Sequence, residues 1–260
     1  MQLIIPAYNE EARLPATLRA LRRHALGAVE TPGSLQVIVV DNASTDRTAA
    51  IAAAADSPAM RVQVLACPTK GKGAAVRAGV AATTADVVGF MDADGATSLD
   101  ALQDAADLMA RGADVAIGSR GLEDSITMAR HSRSRAVGAS VYRKLAGRLV
   151  PGVADTQCGF KIMRGELART VFAATETVGF SFDVEVLARA RMAGARIAEF
   201  PVTWIDVPGS SFMPLRHGFA SFAELADISW RMRGLRPVVP TSAGLRRPPV
   251  VTGLRAAAEA

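Results

Sequence analysis

The first half of the chain alternates short β-branched apolar runs with longer alanine-rich segments, and this alternation restricts the fold more than any other feature. Apolar runs fall at 2–6, 35–41, 61–66, 86–92 and 113–118, each the length of a buried strand. Between them, the patterning predicts helices over 10–26, 45–55, 73–82 and 99–111. Strand and helix in strict succession need crossover connections, hence a mostly parallel sheet with helices on both faces. The expected class is α/β, with one domain over residues 1–233. The second half is less regular: a basic helix over 132–149, a loop at 155 leading into a short strand, a helix over 182–193 and the strand "RIAEFPVTW". Residues 234–260 are rich in Pro, Arg and Ala and are expected to form a poorly ordered tail.

Open parallel sheets bind ligands outside the carboxyl ends of their strands. The polar clusters fall at those ends: "PAYNE" after the first strand, "DNAST" after the second, "CPTKGKG" after the third and "DADGA" after the fourth. Four functional strand ends therefore face one crevice.

Asp92 and Asp94 are two apart, and on an extended backbone both carboxylates point the same way. Mg²⁺ takes one or two carboxylates plus substrate phosphates, so the pair suits a metal carrying a diphosphate. The alternative is a turn, with Asp94 before Gly95. "TKGKGAAVRAG" starts a helix, where free amides and Lys70 or Lys72 would attract phosphate; ordinary loop lysines are the alternative. Asp41 ends a strand without an obvious structural duty and could accept hydrogen bonds from a base or ribose. Glu10 could act similarly, or serve as a first-turn acid of its helix.

Other chemistries find little support. The three histidines share no metal-ligand spacing with each other or with Cys67 and Cys158, and no Ser-His-Asp or zinc signature occurs. Two cysteines make no disulfide framework and suit a reducing cytosol. No apolar run reaches membrane-span length and no signal-peptide pattern opens the chain, so a cytoplasmic protein is expected. The net charge of +5 is uneven: no acid lies between Asp124 and Asp155, while Arg130, Arg133, Arg135, Arg143, Lys144 and Arg148 do. Such a run suits phosphorylated ligands or anionic headgroups. Nucleic acid fits poorly, because no stacking or groove-reading motif accompanies it.

"IIPAYNEE", "VVDNASTD", "KGKGAAVRAG", "DADGA", "GSR", "DTQCGFKIM" and "FSFDVEVL" occur in an order that resembles inverting family 2 glycosyltransferases of GT-A fold. Within that family the dolichyl- or polyprenyl-phosphate glucosyltransferases look most similar, through "DADGAT", "DTQCGFK", "FDVE" and "EFPVTWIDVPGSS". The resemblance implies a Rossmann-like GT-A sheet and transfer of a hexose, glucose from UDP-glucose, to a polyprenyl phosphate. GDP-mannose as donor and a soluble acceptor stay open, and a non-catalytic sugar-nucleotide binder is the remaining alternative. By position, Pro6, Tyr8, Glu10 and Asp41 would line the base and ribose, and Lys72 and Arg77 the base and diphosphate. Asp92 and Asp94 would hold Mg²⁺ or Mn²⁺, with Asp94 the more direct ligand. Asp155 and Gln157 would lie near the sugar and acceptor, and Arg133 and Arg135 near the acceptor phosphate. A lipid acceptor would be reached by peripheral docking on the cytoplasmic membrane face. Phe219, Phe222 and Trp230 beside Arg231 and Arg233 could serve such an interface, although core packing of those aromatics is the expectation.

Overall fold

A computed structural model describes residues 1–27, 35–128, 133–207 and 214–233, with the side chains of 133–137 and 214–217 outside that description. The tail expected over 234–260 therefore lies outside the described residues, as do the side chains of Arg133 and Arg135.

The expected alternation forms: β1 (Gln2–Ala7), α1 (Leu14–Gly27), β2 (Gln36–Asp41), α2 (Thr48–Ala54), β3 (Arg61–Ala66), α3 (Lys72–Ala81), β4 (Val87–Phe90), α4 (Ala101–Ala110) and β5 (Val115–Ser119). There follow β6 (Ile126–Met128), α5 (Arg133–Leu149), β7 (Lys161–Arg164), α6 (Gly165–Ala174), α7 (Phe182–Met192), β8 (Ile197–Pro201), β9 (Thr203–Ile205) and α8 (Pro214–Arg233). The seven-stranded sheet has the order β3-β2-β1-β4-β7-β5-β8, and only β7 runs antiparallel to its neighbours. Because β7 is reversed, its first residue, Lys161, sits at the same edge as the carboxyl ends of the others, paired with Phe90 of β4 and Ile117 of β5.

Strand alternation divides the core into two layers. Leu3, Ile5, Val37 and Val39 face α1, α2 and α4, while Ile4, Ile38, Val40 and Phe90 face α3 and α5–α8.

Four features differ from the sequence expectation. The strand expected over 86–92 stops at Phe90, so Asp92 lies beyond its end and Asp94 in the turn that follows. The first helix begins at Leu14 and not at residue 10, with Pro15 in its first turn, where a missing N–H costs nothing. "RIAEFPVTW" breaks into β8 and β9, because β9 leaves the main sheet to pair with β6. Finally, α8 does not bury all its aromatics: Phe222 packs on Tyr142 at 5.6 Å between ring centroids, but Phe219 is 79% and Trp230 72% exposed. β6, three residues long, and α6, which buries Ala168, Val171 and Phe172 on one face, were not among the elements expected.

Candidate active site

The loops after β1 and β2 are knitted together. Asn9, with φ of 54°, accepts the Thr45 N–H on its Oδ1, and its own N–H donates to Ser44 Oγ. The Glu10 N–H donates to Thr48 Oγ1 at 2.8 Å. Asp41 has a structural duty after all: its Oδ1 accepts the Ser44 N–H at 3.2 Å, which stabilises the turn that follows β2. Tyr8 is exposed and Pro6 half-buried within β1, so these two and Asp41 lie on one rim.

Glu10 is 8% exposed and forms a two-pronged ion pair with Arg13, through Nε at 2.7 Å and through Nη2. Burial pushes the Glu10 carboxyl up, against the pull of Arg13. Arg13 in turn lies 4.0 Å from Asp94 Oδ2.

Asn42 fixes the next loop. Its Nδ2 donates to the Cys67 and Thr69 carbonyls, and its Oδ1 accepts the Gly71 N–H at 2.8 Å. An aspartate could not make the two donations. The loop delivers Lys72 to Asp92, Nζ to Oδ1 at 2.6 Å. Gly71 has φ of 133°, and a Cβ there would sit 2.2 Å from the Val178 carbonyl oxygen. One expectation fails at this point: the amides that open α3 are not free. Gly73 and Ala74 donate to the Gly179 and Val178 carbonyls, so the helix start offers a ligand the Lys72 side chain and not a cradle of N–H groups. Arg77, on the same helix, does not join Lys72; its Nη1 donates to the Thr175 carbonyl at 2.8 Å, closing the end of α6.

Beyond β4, Asp94 Oδ1 accepts the Ala96 N–H at 3.0 Å and Gly95 has φ of 68°, so the turn reading holds while both carboxylates stay partly open to solvent. Burial would raise the Asp92 carboxyl, but Lys72 outweighs it and holds the group below the ordinary range. Asp94 is raised, by burial first and then by the charge of Asp92. An added cation would relieve that repulsion.

Asp155 is 4% exposed, and both its oxygens are taken: Arg120 Nε and Nη2 donate at 2.7 and 3.0 Å, and the Arg120 and Gln157 N–H groups also donate. Burial opposes its charge, but Arg120 prevails and holds the carboxyl low. Gln157 Nε2 donates to the Phe180 carbonyl and Tyr142 hydroxyl, which ties its loop to α5 and to the segment before α7.

The sequence reading passed over Arg13, Arg120, Lys161 and Asp183. Arg120 stands at the end of "GSR", with its guanidinium 5.5 Å from the Trp204 ring centroid. Lys161 Nζ reaches Asp183 Oδ1 and the Cys158 carbonyl, each at 2.6 Å, below the same edge. Their motifs carried the signal, because a lysine opening an apolar strand needs a buried partner.

Comparison with known proteins agrees with this arrangement. The model of "Glycosyl transferase family 2" matches residues 2–172. A dolichyl-phosphate beta-glucosyltransferase of Homo sapiens is 33% identical over 231 residues, covering 82% of this chain and 70% of that protein. One from Dictyostelium discoideum is 30% identical over 242 residues, covering 89% of this chain and 74% of that protein. In fold, the chain resembles glucosyl-3-phosphoglycerate synthase from Mycobacterium tuberculosis in complex with Mn²⁺, UDP and glucosyl-3-phosphoglycerate. The TM-score is 0.65 at 18% identity, covering 91% of this chain and 81% of that one. The sheet, its edge and these matches together make the chain a GT-A-fold member of glycosyltransferase family 2, and hence a glycosyltransferase.

Proposed function

We propose that the chain transfers glucose from UDP-glucose to a polyprenyl phosphate at a membrane surface. The observation that carries this reading is the gathering of Asp92, Asp94, Lys72 and the Arg120–Asp155 pair along one sheet edge. The dolichyl-phosphate relatives supply the substrate class.

Tyr8 and Asp41 would meet the base and ribose, and Lys72 the diphosphate. The carboxylates fit a divalent cation: Asp94 Oδ2 is beyond hydrogen-bonding distance of Arg13, and Asp94 is disfavoured as a lone charge. Among the described residues no group of three or more His, Cys, Asp or Glu side chains forms a cage, so Mg²⁺ or Mn²⁺ would be shared with the diphosphate. When bound, the cation supplies charge neutralisation on the leaving diphosphate. The acceptor phosphate is already an anion, so its oxygen attacks the anomeric carbon without a general base. The bond from that carbon to the UDP oxygen breaks, its electron pair leaves with UDP, and the configuration inverts. Asp155, held ionised by Arg120, would offset positive charge that develops on the sugar, and Arg133 and Arg135 would meet the acceptor phosphate.

Among the described residues no helix is long and apolar enough to cross a membrane. Phe219 and Trp230 are both exposed, and at 3.6 residues per turn their spacing brings them to nearly one face of α8. Exposed Arg233 lies near Trp230, a mixture suited to an anionic headgroup layer.

The test is incubation with labelled UDP-glucose, polyprenyl phosphate and Mg²⁺, then extraction into organic solvent. Lipid-soluble label supports the reading. Label that appears only in water-soluble product assigns a soluble acceptor, and turnover with GDP-mannose alone changes the donor.

A further inference from the structure

We infer that Glu224 of α8 is a positioning residue for the donor site: it braces residues 177–181, and these hold the turn that carries Lys72. The inference rests on the reading of Lys72 as the diphosphate-facing lysine. Residues 177–181 belong to no helix or strand, so nothing within the segment fixes its place. Two neighbours do.

On one side lies the start of α3. The Gly73 and Ala74 N–H groups donate to the Gly179 and Val178 carbonyls at 3.2 and 3.1 Å. A Cβ on Gly73 would come within 2.6 Å of the Thr177 carbonyl, so the two backbones are in contact over more than one peptide. On the other side lies α8. Glu224 Oε2 accepts the Ser181 N–H at 2.9 Å, and Ser181 Oγ donates to the Ser221 carbonyl at 3.0 Å. A Cβ on Gly179 would lie 1.9 Å from Glu224 Oε1, so the carboxylate rests directly on that peptide. Arg231, further along α8, donates to Thr177 Oγ1 and to Glu185, each at 3.0 Å.

The connection therefore runs from the Glu224 carboxylate through Ser181 and Gly179 to the α3 amides and on to Lys72, whose Nζ holds Asp92 at 2.6 Å. Close-packed backbone shifts as a unit, so loosening one end displaces the other. The helix that presents Phe219 and Trp230 to solvent thus sets the donor site through Glu224.

The experiment compares Glu224→Ala, Glu224→Gln, Gly179→Ala and Lys72→Ala by amide hydrogen exchange and by calorimetric titration with UDP and Mg²⁺. Exchange at Gly73 and Ala74 should quicken in Glu224→Ala. Its UDP affinity should fall at least about fivefold, the lower range of couplings between sites, while Glu224→Gln, which keeps an acceptor oxygen, stays within about twofold. Gly179→Ala leaves Glu224 in place but wedges it from the segment; it should repeat the Glu224→Ala result, and it carries the test if that variant does not fold. Unchanged exchange at the two amides overturns the brace. Faster exchange with unchanged UDP affinity, when Lys72→Ala does weaken UDP, overturns its coupling to the donor. If Lys72→Ala binds UDP like the parent, the donor reading fails instead, and exchange still judges the brace.

Discussion

Two lysine–aspartate pairs stand beside each other at the active edge with the same 2.6 Å separation, and they do different work. Lys161–Asp183 is sealed, with side chains 0% and 3% exposed, while Lys72–Asp92 is open, at 18% and 37%. Geometry alone would not separate them. Burial does, because a sealed charge depends wholly on its partner, whereas an open one can exchange that partner for water or ligand. Lys161 is further enclosed by the Cys158 carbonyl and by the Phe90 ring, 5.3 Å from Nζ to centroid. The sealed pair supports the floor of the site, and the open pair is the part a diphosphate could engage.

The largest expected effect breaks the sealed pair from one side. Lys161→Met strips Asp183 of its hydrogen-bonded ion partner in the core, and should lower unfolding free energy by about 3–5 kcal/mol in urea titration. Replacing both members, Lys161→Met with Asp183→Leu, should recover most of that loss. Failure to recover it would mean that the pair's partners, and not its charges, account for the stability.

Next comes the open pair, read by activity. Lys72→Met removes a charge preorganised for the leaving diphosphate and should reduce kcat by about 10²–10³ in the labelled-donor assay. Asp94→Ala should do at least as much and should abolish the response to added Mg²⁺, with circular dichroism unchanged. An Asp94→Ala enzyme that still answers to Mg²⁺ would remove the metal from that turn.

In a third pair, Arg120–Asp155, the carboxylate lies between the other two, at 6% exposed against 3% for Asp183 and 37% for Asp92, while Arg120 at 30% is the most open of the three cations. Asp155→Asn keeps the shape but gives up the charge-assisted bonds, and should destabilise by about 1.5–3 kcal/mol. Its position between the other two variants in a common denaturation series tests whether burial is the variable that ranks them.

The same distinction explains what could be read from the residues beforehand. β1 to β5 and the crevice at their ends were legible because each of the first four short apolar runs leads into a polar cluster, and parallel pairing then sends those ends to one edge. Asp92, Asp94 and either Lys70 or Lys72 stood out as candidates on that edge. Arg120 and Asp183 did not, because their importance comes from partners distant in sequence: Asp155 is 35 residues from Arg120, and Lys161 is 22 from Asp183. The occupied amides of α3 were hidden for the same reason, since the carbonyls that fill them come from the segment after α6. Exposure of Phe219 and Trp230 turned on how α8 rotates against α5, which helical periodicity alone does not set.

The smallest effect is the stability of the open pair, and pH gives its sign. Burial works against the Lys72 ammonium, but Asp92 and Asp183 outweigh it and raise its pKa, while Lys72 draws Asp92 below the ordinary carboxylate value of 3.8. A depressed carboxylate contributes stability above its unfolded value and loses it as pH falls through the folded one. Because both side chains are partly solvated, Lys72→Met should cost under about 1 kcal/mol at pH 7, despite its large loss of activity. That difference should persist down to pH 4 and shrink as the solution is made more acidic than 3.8, where Asp92 takes up a proton and the parent loses its advantage. Urea titrations of parent and variant across this range check it. A deficit of several kcal/mol at pH 7 would put Lys72–Asp92 in the same class as the sealed pair, and the exposure of its side chains would no longer explain the contrast.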